Sequence, residues 1–398
     1  MRDGSMPPAG RAVTGDRLLL GAALLLVSFN LRPAVTSLGP VLPEVMRSTG
    51  LTTAAASLLT TLPALCFGLF APLAPRLAAR FGIERTVLAA MLALAAGTLL
   101  RWAEAPPALF AAAIVSGAAI GVVNVLVPGL VKRDFSDRVA LMTGLYSMVM
   151  SIGAAGAAGG SAPLAVRLGS WGASLGVWAV PALVAAVALL PVLPRDFRPA
   201  ERRRRPGLWR NRLAWQVTLL MGFQSATTYC AFGWLAPILR DRGMTPVAAG
   251  LVLSLSVLVQ VAATLGGAPF AQLFRDQRLP AMLSLATGAA GFLGCLWLPL
   301  SCVWGAAVVM GLGQGAVFSI TLSIIVLRAP DTATAAQLSG MAQAVGYVIA
   351  AAAPFGVGLA HQIAGDWRAT GPLLILYPAI DMAAAAGAGR NRLVRPSA

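Results

Sequence analysis

Twelve apolar runs dominate this chain, at 18–43, 53–73, 86–102, 108–131, 139–164, 172–193, 213–239, 249–270, 281–300, 303–327, 338–360 and 370–388. A hydrocarbon core about 30 Å thick is crossed by roughly 20 helical residues. Each run is long enough, or nearly so, to span as a helix, so the expected fold is all-α, a polytopic membrane protein of twelve transmembrane helices in two six-helix bundles. The third run is short, and the ninth and tenth almost touch.

Composition agrees, with 58% hydrophobic and 11% charged residues and a mean hydropathy of +0.79. A net charge of +16 would suit a nucleic-acid partner, but the arginines lie mainly between the runs, where they act as topology signals. They favour the side carrying both termini by roughly four to one, which points to cytoplasmic termini. The first run is too long for a signal-peptide core and is expected to be retained. Cys66, Cys230, Cys295 and Cys302 are scattered, with no CxxC pair, so neither a disulfide framework nor a metal site is expected. No cofactor is called for.

The chain divides at 194–212, where eight arginines stand against two acids. The resulting organisation is a cytoplasmic N-terminus at 1–17, a six-helix bundle at 18–193, a basic linker at 194–212, a second bundle at 213–388 and a tail at 389–398. The linker reads as a solvated tether, with anionic lipid heads as its alternative partner.

Within the first run, Arg32 falls near the membrane midplane. A charge there is costly, and is a functional-site candidate by default. Pro33 has no amide hydrogen and crowds the carbonyl of Phe29, so the helix should loosen just before it. The only carboxylate on this helix, Glu44, is twelve residues on, about 18 Å along the axis. Arg32 therefore has no mate on its own helix. Either it serves structurally, satisfying freed backbone or an acid elsewhere, or its counter-ion is an anionic or electron-rich substrate, to which the planar guanidinium is suited.

Asn and Gln well inside the runs are confined to segments 1, 4, 7, 8, 10 and 11, and segments 3, 6, 9 and 12 have none. Since polar groups in spans face the bundle interior, every third helix should be peripheral. The candidate binding residues are Arg32, Asn124, Gln224, Tyr229, Trp234, Gln260, Gln314, Gln343 and Tyr347. Gln224 and Thr228, Gln260 and Thr264, and Gln343 and Tyr347 each sit one helical turn apart. Each amide has an alternative role in helix-to-helix hydrogen bonding.

Six plus six spans with outer helices at every third position resemble the major facilitator superfamily, built from inverted repeats around a midplane site. The stretch PRLAARFGIER resembles that superfamily's loop motif between helices 2 and 3. Arg80, Gly82 and Arg85 match it as gating residues, while Ala79 replaces the usual Asp. The stretches FNLRPAVTSLGPVLP, WQVTLLMGFQSATTYCAFGWLAPIL and LSGMAQAVGYVIAAAAPFGVGL are similar to the cyanate and 2-nitroimidazole transporter branch. The resemblance implies a monomeric secondary transporter in the bacterial cytoplasmic membrane. It would move a small anionic or polar heteroaromatic solute by alternating access.

A drug or metabolite efflux antiporter shares this architecture and is the alternative; a receptor is more distant. An enzyme is disfavoured, because the sequence has no HExxH or GxSxG in a sensible context and one histidine, His361. The GLGQGA run at 311–316 lies in a span and reads as close packing. Proton coupling stays open, since the only carboxylate inside a run is Asp381 on segment 12. The glycine-dense segment 5 reads as a packing interface.

Overall fold

The computed structural model describes residues 10–193 and 208–394 and contains no strand among them. Most of the 194–212 linker therefore lies outside the described residues. Eleven helices are long and apolar enough to cross a membrane. Span 1 is Arg17–Thr36 continued by Leu38–Thr49. Spans 2 to 6 are Thr53–Phe81, Ile83–Ala103, Pro106–Asp134, Leu141–Leu168 and Trp171–Val192, and spans 8 to 12 are Pro246–Gln272, Arg278–Trp297, Leu300–Leu327, Thr334–Ala364 and Trp367–Ala388. Span 7 completes the twelve as Arg212–Cys230, a π-helical turn at Ala231–Leu235, and Ala236–Asp241. It is the least apolar of the set, carrying Gln216, Gln224, Ser225, Thr227 and Thr228.

Side-chain caps start several spans. Thr52, Ser170, Asn211, Thr245 and Asp331 each accept a backbone N–H from the first turn of the helix they precede, satisfying donors that have no partner within the helix.

Span 1 is broken where Pro33 requires it. Helix Gly10–Phe29 ends, three residues turn, and a short helix, Pro33–Thr36, restarts the span. The break is braced from three directions. Asn30 Nδ2 donates to the carbonyl of Pro181 at 3.0 Å, Thr36 Oγ1 to that of Ala154 at 3.0 Å, and Arg101 Nη2 to that of Ala34 at 2.6 Å. Arg101 is 3% exposed. In the sequence it reads as a residue at the edge of a loop; in the fold it is a second buried cation, spent on the backbone of span 1.

Spans 1 to 6 pack together, as do spans 7 to 12. Between the two lobes, span 2 packs on span 11, span 5 on span 8, and the far end of span 1 on span 7. Spans 3, 6, 9 and 12 pack within their own lobe, so the polar distribution located the outer helices.

Candidate functional site

A cavity of about 760 Å³ lies between the lobes, lined by spans 1, 5, 7, 8, 10 and 11. Arg32 reaches it because the break at 30–32 turns the guanidinium out of span 1 and towards the other lobe. Its Nη1 donates to the Tyr229 hydroxyl of span 7 at 3.4 Å, and Tyr347 of span 11 also faces it. Among the described residues that line the cavity, Arg32 is the only charged one.

The aromatic wall is continuous. Tyr229 and Tyr347 meet edge to face with ring centroids 6.2 Å apart, and Phe232 closes on Tyr229 at 6.0 Å. Phe67 of span 2 stands behind both tyrosines, at 6.1 and 5.8 Å. It is a buttress that the sequence gives no reason to single out. The π turn begins two residues after Tyr229. Such turns insert one residue into a helix and re-aim the side chains beyond it.

Gln224 and Gln260 also line the cavity. Gln224 Nε2 donates to Ser225 Oγ at 2.9 Å, and Gln260 Nε2 donates to Gln314 Oε1 at 3.2 Å. Thus Arg32, Gln224, Tyr229, Gln260 and Tyr347 share one space.

The other four candidates do not join them. Trp234 is 1% exposed and donates from Nε1 to the carbonyl of Pro354 at 2.8 Å, which fastens span 7 to span 11. Gln314 lies one layer behind Gln260, buried and outside the lining. Gln343 is half-buried, outside the lining, and donates to Ser339 one turn away at 2.8 Å. Asn124 is also outside it, because span 4 packs against spans 2 and 3, and its Nδ2 is buried with no hydrogen-bond partner. Asp381 is fully buried on span 12, away from the cavity, with neither oxygen hydrogen-bonded.

Span 5 contributes Thr143, Ser147 and Ser151, a hydroxyl row at four-residue spacing. That spacing is visible in the sequence, but hydroxyls in spans commonly bond the carbonyl one turn back, as Ser151 does to Ser147, so the row carries no signal of a cavity by itself. The glycine-rich half of the same helix does pack closely, with Gly153 against the Phe29 carbonyl.

In the loop motif, Gly82 turns the chain between helices with φ of +92°, a region left to glycine. The Arg80 guanidinium stands 5.2 Å from the Phe81 ring centroid, and Arg85 is exposed. Where the usual Asp is replaced by Ala79, the buried carboxylate is instead Glu84, paired with Arg133 at the end of span 4.

The cavity reaches the ends of spans 8 and 10 on the side of the termini, at Gln272 and Leu327. On the far side it is shut. Arg240 of span 7 grips both carboxylate oxygens of Glu44 and donates to the carbonyl of Pro40 at 3.0 Å. The backbone at Gly39 lies against the carbonyl of Phe232.

Two helical lobes with a mainly apolar cavity at their seam, closed at one end and carrying one arginine among amides and hydroxyls, have the architecture of a membrane carrier. The Major Facilitator Superfamily model matches residues 18–354, and the chain belongs to that superfamily of transporters. It is 38% identical over 361 residues to the 2-nitroimidazole transporter of Escherichia coli K12, covering 88% of this chain and 90% of that one. It is 30% identical over 351 residues to the cyanate transport protein CynX of the same organism, covering 86% and 90%. Among solved structures, the bacterial homologue of the human lysosomal transporter Spinster superposes with a TM-score of 0.74 at 14% identity, over 98% of this chain and all of that one.

Proposed function

We propose that this carrier moves a small planar anion, or a polar heteroaromatic that binds as one, across the bacterial cytoplasmic membrane by rocking its two lobes. One observation carries the reading: Arg32 of one lobe is the sole charged residue lining the cavity among those described, and it faces two tyrosines of the other lobe. An anion there would take the guanidinium fork on one side and tyrosine hydroxyls on the other. Gln224 and Gln260 would supply amide contacts and the Tyr229–Tyr347 pair a flat face.

The lobes are residues 18–193 and 213–388, joined by the basic segment between them, and the termini are cytoplasmic. The cavity is then open to the cytoplasm and sealed outside by Glu44 and Arg240. Relatives named for cyanate and 2-nitroimidazole transport support a small electron-rich substrate.

The test is uptake in cells and proteoliposomes against a panel of cyanate, nitrate, benzoate and 2-nitroimidazole. Arg32→Gln is expected to lower kcat/KM by about 100-fold or more, the loss of a charge-assisted pair. Arg32→Lys should recover only part of that, since an ammonium cannot bind as a fork. Unchanged uptake by a well-expressed Arg32→Lys protein would overturn the assigned role.

A further inference from the structure

We infer that this carrier works as an obligatory anion exchanger: it turns over when loaded with an anion and stalls when empty. The inference rests on the substrate reading above and adds the mode of transport to it.

The structure shows one half of the cycle, with the far side shut and the cavity running from Arg32 to the termini-side ends of spans 5, 8 and 10. To reach the opposite state, those ends must close over the cavity before the Glu44–Arg240 seal parts. In the closed intermediate Arg32 is cut off from water at the depth of the bilayer midplane. Its state there depends on what accompanies it.

Among the described residues no carboxylate pairs with it. No acid lines the cavity among the described residues. The acid on its own span, Glu44, is bound by Arg240 and Arg47 at the far end. Asp381, the acid within span 12, lies outside the cavity. The groups that do face Arg32, Tyr229 and Tyr347, are phenols. An arginine cannot shed its proton to escape the penalty. The loaded intermediate is an ion pair with both tyrosine hydroxyls placed to bond it, whereas the empty one is a bare buried cation, the arrangement most costly in a low-dielectric interior. Substrate therefore lowers the barrier to reorientation in both directions. Each inward trip with one monoanion requires an outward trip with another, and the exchange moves no net charge.

The experiment uses proteoliposomes of the full chain loaded with a labelled monoanion, cyanate or benzoate, and diluted into potassium gluconate. The same unlabelled anion is either added outside or omitted. Exchange efflux is expected to exceed net efflux by about 100-fold, and a potassium diffusion potential set with valinomycin should leave the exchange rate unchanged. Arg32→Lys should keep the ratio high even if both rates fall, and Arg32→Gln should bring it near one. The ratio is read within each preparation, so differences in expression or folding do not alter it. Net efflux as fast as exchange in the parent protein, responding to the imposed potential, would overturn the inference while leaving the substrate reading in place. No exchange with any anion of the panel would remove both.

Discussion

Trp234 and Arg101 show how one side chain's partners decide its role. Trp234 follows Tyr229 on span 7, and as amphipathic aromatics both are offered by the sequence as binding residues. In the fold Tyr229 looks into the cavity, while Trp234 is sealed between lobe helices, with its N–H on Pro354 and its ring 5.0 Å from Trp367. Trp234→Phe keeps most of the apolar volume and removes the indole N–H bond to the Pro354 carbonyl, so the expected cost is about 1 kcal/mol of stability. Thermal unfolding of the detergent-purified protein reads this, and substrate KM should not change. A rise in KM of about ten-fold would return Trp234 to the binding site. Arg101 illustrates the converse. In the sequence it is a basic residue at a loop edge, yet its guanidinium serves the carbonyl of Ala34 and the hydroxyl of Ser37, and only the chain path through the break explains why.

At the scale of the element, span 1 is the part of the site most legible in the sequence, because a proline at membrane depth has a local and forced consequence. The break at 30–32 follows from Pro33 alone. The brace behind it does not: Gly153 of span 5 lets the Phe29 carbonyl approach so closely that a Cβ at 153 would overlap it. Gly153→Val is expected to push span 1 away from span 5, costing about 1 to 3 kcal/mol and lowering transport with it. Purified protein with unchanged thermal stability would show that the two helices separate at no cost. Span 7 is the opposite case. Its π turn leaves no mark in propensity or spacing, yet it sets the direction of everything after Tyr229. Rotational phase is hidden throughout, because helices apolar on all sides carry no stripe to indicate which face turns inward. That is why Gln224 and Gln260 reach the cavity while Gln314, Gln343 and Asn124, equally eligible by sequence, do not.

For the whole molecule, the asymmetry between a sealed far side and an open near side is the functional statement. The seal combines the Glu44–Arg240 pair, the Pro40 carbonyl contact and the backbone meeting at Gly39 with the packing of span 2 on span 11, where the Ala54 N–H donates to Gln362 Oε1 at 2.6 Å, and the ion pair is the part that a single substitution removes. The pair is partly exposed, with 31% of the Glu44 side chain accessible, which limits its worth to about 1 kcal/mol. Glu44→Gln is expected to raise the far-side-open population roughly five-fold. A Thr60→Cys reporter, placed where span 2 meets Gly233 of span 7, should then react faster with a membrane-impermeant maleimide applied to the face opposite the termini. No change in its rate would mean that the seal lies elsewhere.

The sequence by itself determined that the chain crosses the membrane twelve times, which helices are peripheral, where the first span breaks and that a lone arginine stands at its middle. These follow from local requirements, since in lipid each helix must satisfy its own backbone and each proline disrupts its own turn. The tertiary structure alone decided which amides reach the cavity, which aromatic rings wall it, and that Glu44 and Arg240, 196 residues apart, close one end. Those depend on how each apolar cylinder is rotated and tilted against partners distant in the chain, a choice made by packing between helices and not by any one of them.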